Sequence, residues 1–278
     1  MDNNVRYKVL KYKYIFTIGL LLASFLGISI ALSANTDQQK ELVLVAKYIE
    51  GDISLDPYSA IWKDVQGTEV PLTFQALFIP WGKSAKGPVT VKALHNGKEI
   101  YFMLEWSDET KNIDTSETDQ FADASAIMFP LKETNPSSIM MGFLSRVNIW
   151  YWRSDRDLEY WTGTSNITTA VDFYPEDEVI KLFKEPKEVG PVQDLVAEGP
   201  GTLTQKERKS DVLGKGLWRE NKWRVVFKRT MKTIGDDDFQ FEAGKKINIA
   251  FAVWDGEKQE RGPRKSISDW VMLKIEKR

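Results

Sequence analysis

The sequence predicts an all-β fold, an antiparallel β-sandwich with long loops, preceded by an N-terminal hydrophobic export segment. Three observations lead there. Short β-branched and aromatic runs recur along most of the 278-residue chain, turn-forming pairs such as Asn-Gly and Asp-Gly separate them, and long helical periods are few.

The leader comes first. Arg6, Lys8, Lys11 and Lys13 precede residues 15–34, 20 residues without a charge that run into the small-residue segment IALSAN. Positive charge, an apolar run and small residues in that order describe a secretory signal. The run is also long enough to span a bilayer, so residues 1–34 are assigned to a signal peptide or an N-terminal membrane anchor. Ser24, Gly27, Ser29 and Ser33 dilute the apolar character and favour the cleaved signal. Either reading exports residues 35–278 as one domain to the periplasm or another extracytoplasmic space, with membrane attachment only through the leader.

The strands follow. PVTVKAL (88–94), HNG (95–97) and KEIYFMLEW (98–106) form a hairpin signal, because Asn-Gly supplies the backbone twist that a two-residue turn needs. SAIMFP (125–130) and VNIWYW (147–152) are further strands. Residues 173–216 read as a loose excursion within the same domain. LWRENKWRVVFKRTM (217–231) is a hairpin turning at Glu220-Asn221, KINIAFAVWDG (246–256) is a strand closed by Asp-Gly, and SDWVMLKIE (268–276) is the last strand.

Composition excludes several chemistries. With no cysteine, the chain has no disulfide, thiolate zinc site, iron–sulfur cluster, thiol nucleophile or covalently attached c-type haem. A single histidine argues against a histidine-rich metal site or a serine triad. Beyond the leader, 34 basic residues face 39 acidic ones, which argues against nucleic acid as a partner.

Few residues remain to carry function. Met140 and Met141 lie before an aromatic strand; thioethers commonly fill core gaps, and one of them could also serve as an axial ligand to haem iron. In the loop WDGEKQERGPRKSISDW (254–270), Lys265 is a second candidate ligand. A protonated ammonium has no lone pair, and holding it neutral at pH 7 costs about 4–5 kcal/mol from its ordinary pKa. Arg261 and Arg264 could pair with haem propionates. His95 is an obvious ligand type, yet it falls at the tip of a predicted hairpin, which projects outward. The acidic residues at 105–123 suit an exposed connection better than a calcium loop, whose twelve-residue spacing they do not match. Ser266 beside Lys265 does not make a catalytic pair, because neighbouring residues point apart.

The ordered segments VKALHNGKEIYFMLEWSDETKN (91–112), FADASAIMFP (121–130), MMGFLSRVNIWYWR (140–153), AEGPGTLT (197–204), GKGLWRENKWRVVFKR (214–229) and INIAFAVWDGEKQERGPRKSISDWVML (247–273) are more specific than any one of them. Together they resemble the ethylbenzene dehydrogenase-related haem b domain over about residues 42–276. The resemblance implies a cytochrome-domain-like β-sandwich holding one non-covalent haem b between a methionine and a lysine. These fall on Met141 and Lys265, with Met140 as a neighbour and Met128 as a weaker candidate. It further implies an electron-transfer γ subunit without catalysis of its own, in an exported molybdenum enzyme whose relatives act on ethylbenzene, dimethyl sulfide, selenate, chlorate, nitrate or nitrite. Partners would be a molybdenum-cofactor α subunit, an iron–sulfur β subunit and a soluble c-type cytochrome. The rival expectation is a haem-free carbohydrate- or ligand-binding β-sandwich using some of the ten tryptophans as a platform.

Overall fold

Side chains that alternate in and out along β-branched, aromatic strands account for the architecture of the computed structural model, which describes residues 42–75, 87–115, 117–132, 145–163, 190–206 and 210–278. The strands are β1 (Val43–Tyr48), β2 (Thr68–Val70), β3 (Thr73–Phe74), β4 (Val89–His95), β5 (Glu99–Ser107), β6 (Ala124–Pro130) and β7 (Val147–Arg153). After one helix, α1 (Ser154–Thr162), come β8 (Val192–Ala197), β9 (Thr204–Gln205), β10 (Leu213–Arg219), β11 (Lys222–Thr230), β12 (Lys246–Trp254), β13 (Ser266–Ile267) and β14 (Val271–Ile275).

The ladder runs β10-β11-β5-β4-β1-β14-β12-β6-β7-β8-β9 and folds over on itself. Its crease is β12, whose residues 246–249 pair with β14 while residues 250–254 pair with β6. The two layers meet through aromatic rings: Phe102 of β5 lies 5.9 Å from Phe129 and 6.0 Å from Trp150, and Trp106 lies 6.3 Å from Trp152. Each of these rings is fully or almost fully buried, which removes a large apolar area from water and dominates the core.

The sandwich is antiparallel with one exception. β1 pairs in parallel with both β4 and β14, because neither neighbour is joined to it by a hairpin; residues 49–88 separate β1 from β4, and β14 arrives at the far end of the chain. The Glu220-Asn221 turn forms as the sequence predicts, both residues taking the left-handed conformation (φ 54° and 56°) of a type I′ turn.

The Asn-Gly hairpin shifts by one residue. Asn96 N–H donates to the Glu99 carbonyl (3.1 Å), so Gly97 and Lys98 make the tip and His95 stays in β4 opposite Ile100. The excursion predicted at 173–216 is more ordered than expected at its end, since β8 and β9 lie within it. Glycines and prolines flank the apolar VQDLVA and mask its strand pattern.

No helix is expected over 154–162, yet α1 forms there. Asp155 and Asp157 occupy its first turn, where carboxylates favour a helix N terminus, and Gly163 (φ 69°) ends it. The Asp157 carboxylate accepts the Trp152 indole N–H (2.8 Å) and the Gly216 N–H (3.1 Å), fastening the helix to β7 and β10. A Cβ at Gly216 would lie 2.2 Å from the Trp152 ring, so only glycine lets β10 pass it.

Candidate functional site

The second layer, formed by β6, β7, β8 and the end of β12, is apolar on both faces. Ile127, Phe129, Trp150, Trp152, Phe251 and Val253 point into the sandwich. The alternate residues Ala126, Met128, Ile149, Ala250, Ala252 and Trp254 point outward and form their own cluster. A face of this kind must be covered by something apolar. Because three of these six residues are alanine, the side chains leave a cavity of about 400 Å³ between the sheet and two bordering segments, Pro200–Leu203 and Gly262–Lys265. That size and lining suit a flat apolar ligand.

Lys265 brings the cavity its nitrogen. Its carbonyl accepts the Gln75 N–H (2.9 Å), which pins the loop at the start of β13 to the end of β3. Its Nζ donates to the Gly262 carbonyl (3.4 Å) and sits 5.1 Å from the centre of the Trp254 ring. Burial of the amine draws its pKa down to about 8. Releasing the proton at pH 7 then costs about 1–2 kcal/mol rather than the 4–5 of an exposed lysine.

The other candidates fall in different places. Met140 and Met141 lie outside the described residues. Met128, the weaker candidate, lines the same cavity as Lys265 and is buried. Arg261 and Arg264 flank the cavity-lining Gly262 and Pro263 without lining the cavity themselves, and the Arg261 guanidinium stacks over Phe121 at 4.7 Å. His95 does not project outward. It is fully buried against Tyr48 (5.6 Å between rings), away from the cavity wall, and burial lowers its pKa.

Two acidic residues expected on an exposed connection are buried. Asp108 and Asp123 meet Asp255, with one oxygen of each within 4.8 Å of the others. Asp123 accepts the N–H groups of Asn112 (2.8 Å), Gly256 (2.9 Å) and the Trp223 indole (2.9 Å). It thereby ties the start of β6 to the beginning of the loop that presents Lys265. Burial first and the neighbouring Asp108 charge second push its pKa up to about 7.

Trp106, Trp150, Trp152 and Trp254 are all buried, so none of these four offers an exposed sugar platform. A larger hollow of about 780 Å³ is bordered by Asp236, Asp238, Glu242, Lys245 and Lys246, a charged lining that does not suit an apolar macrocycle. The sequence reading missed Trp254, Gln75 and the alanine floor as site residues. The legible signal was alanine at alternate positions in strands whose other face is uniformly bulky.

The haem-binding expectation fits this cavity on two counts: small floor residues where any larger side chain would fill the space, and an amine and a thioether among its walls. Comparisons with known proteins bear on the family, not on this cavity. A family model described as ethylbenzene dehydrogenase matches residues 59–175 and 184–266. A respiratory nitrate reductase heme subunit of Haloferax mediterranei is 28% identical over 228 residues, covering 81% of this chain and 70% of its own. The chlorate reductase subunit gamma of Ideonella dechloratans is 26% identical, covering 95% and 97%. The dimethylsulfide dehydrogenase subunit gamma of Rhodovulum sulfidophilum is 29% identical, covering 67% and 60%. Among solved structures, a family 9 carbohydrate-binding module from Caldicellulosiruptor kristjanssonii is 10% identical with a TM-score of 0.45, covering 85% of this chain and 96% of its own.

Proposed function

Because the chain belongs to the ethylbenzene dehydrogenase family, we propose that it is the haem-carrying electron-transfer subunit of an exported oxidoreductase complex. The observation that carries this reading is the alanine-floored cavity with the Lys265 amine on its wall, its proton loosened by burial. The group is one haem b, since a chain without cysteine offers no thioether attachment. Haem supplies one-electron redox chemistry at a potential set by its axial donors and its burial.

The protein's part is to hold and to insulate. Lys265 would offer an amine lone pair and Met141 a thioether, and iron held by two protein donors would have no open site for oxygen or substrate. Ala126, Ala250 and Ala252 would leave room for the macrocycle, while the apolar Ile149, Leu195 and Ile267 in the same lining would keep water from it. Arg261 and Arg264, next in sequence to the cavity-lining Gly262 and Pro263, would supply guanidinium donors for haem propionates. Catalysis belongs to a partner subunit. Molybdenum cofactor and iron–sulfur clusters reside in α and β partners, and a soluble c-type cytochrome completes the relay.

Met128 gives a second reading for the sulfur donor, favoured by its place in the cavity wall. Visible spectra of the haem-loaded protein test both. Wild type is expected to be six-coordinate and low-spin, Lys265→Ala to become high-spin, and one of Met141→Ala and Met128→Ala to follow it. An unchanged low-spin spectrum in Lys265→Ala overturns the assignment, and a colourless protein expressed with ample haem supports the carbohydrate-module alternative.

A further inference from the structure

We infer that Trp254 is a positioning residue for Lys265, an inference that rests on reading Lys265 as an axial ligand. The indole ends β12, is buried, and makes one contact to the Gly262 carbonyl and one to the Lys265 amine. Its N–H donates to the Gly262 carbonyl (3.1 Å), and that same carbonyl accepts the Lys265 amine at 3.4 Å. The ring face closes the triangle from below, 5.1 Å from the amine. Tyr151 packs edge-on against the indole with ring centres 5.1 Å apart, so the platform itself is fixed by β7.

Geometry gives this triangle a purpose. A lysine side chain carries four rotatable bonds, and ligation must overcome their rotamer entropy if the chain is free. The loop that carries Lys265 is built from two separate turns, closed by Glu260 N–H to the Asp255 carbonyl (3.1 Å) and by Arg264 N–H to the Arg261 carbonyl (3.0 Å). The Trp254 N–H ties the second turn, where Gly262 takes a left-handed φ of 52°, back to the sheet. Each contact on the amine is weak enough to be exchanged for a metal–nitrogen bond. Trp254 therefore keeps the lysine poised at the wall of the cavity without locking it away from a bound haem.

The test uses the full-length, haem-loaded protein with Trp254→Phe, which keeps a ring and loses the N–H, and Trp254→Leu, which loses both. Trp254→Phe is expected to show a high-spin fraction absent from wild type, a shifted midpoint potential and about three- to tenfold faster haem transfer to excess apomyoglobin, the weight of one neutral hydrogen bond. Trp254→Leu is expected to exceed it on each measure. If Trp254→Phe does not fold, site-specific replacement by benzothienylalanine, a bicyclic ring without the N–H, gives the same reading. A wild-type spin state, potential and transfer rate in the N–H-free variant overturns the inference while Lys265→Ala still loses its low-spin spectrum. A low-spin spectrum that survives Lys265→Ala sinks the ligand reading and this inference with it.

Discussion

Ala252 lies directly opposite Ala126 across the β12–β6 ladder, and the pair forms part of the floor of the cavity. Neither faces the core of the sandwich, which begins on the other side of the same strands. The residue size that opens the cavity is therefore independent of the residues that hold the fold together.

Enlarging that floor should weaken binding without unfolding the protein. Ala252→Phe is expected to weaken haem uptake by roughly 5- to 150-fold, because overpacking a filled site costs about 1–3 kcal/mol. Haem titration followed by absorbance reads the loss. Chemical denaturation of the apoprotein should stay close to wild type, and normal haem uptake would place the ligand elsewhere.

Lys265 makes the site pH-dependent. Its folded-state pKa of about 8 lies below the ordinary value of 10.5, so between about pH 8 and 10.5 the unfolded chain binds a proton that the folded chain has released. Apoprotein stability contributed by this group should rise with pH across that window. Denaturation midpoints of wild type and Lys265→Met at pH 7.5, 9 and 10.5 check the sign, since the variant should lack this increment. Haem ligation should strengthen in the same direction, from pH 6 to 9, as the competing proton leaves.

Asp123 acts with the opposite sign. Its pKa is raised to about 7 from 3.8, so the folded state holds a proton that the unfolded state loses above about pH 4. The contribution is present at acid pH and is lost as pH rises from about 4 through 7. Asp157, raised to about 6 for the same reason of burial, adds in the same direction. Asp123→Asn should lower stability near pH 4 by about 1–3 kcal/mol, because its amide nitrogen would meet an N–H donor, and the deficit should shrink as pH rises toward 7. It should also flatten the slope between pH 4 and 7. An unflattened slope in denaturant midpoints would remove Asp123 from the titration.

The hairpins and strands were legible because their causes are local. Lys222 to Thr230 alternates visibly, and Glu220-Asn221 sits between two such runs. His95 was misplaced for an equally local reason, since Asn-Gly can turn in either of two registers. Pairing with Ile100 chose the one that buries the imidazole. The buried carboxylates were illegible as a group. Asp123 and Asp255 stand far apart in the chain, and charge alone made Asp108 and Asp123 look exposed.

By itself the sequence determined the strand-rich fold, the absence of thiol chemistry and the presence of a lysine-bearing loop after an aromatic strand, because side-chain alternation and composition are properties of the chain alone. Only the tertiary structure decided that Lys265 shares a cavity with Met128 and that Trp254 lies beneath its amine. Those meetings depend on β12 leaving one layer for the other, and no short-range pattern encodes the register in which it pairs with β6.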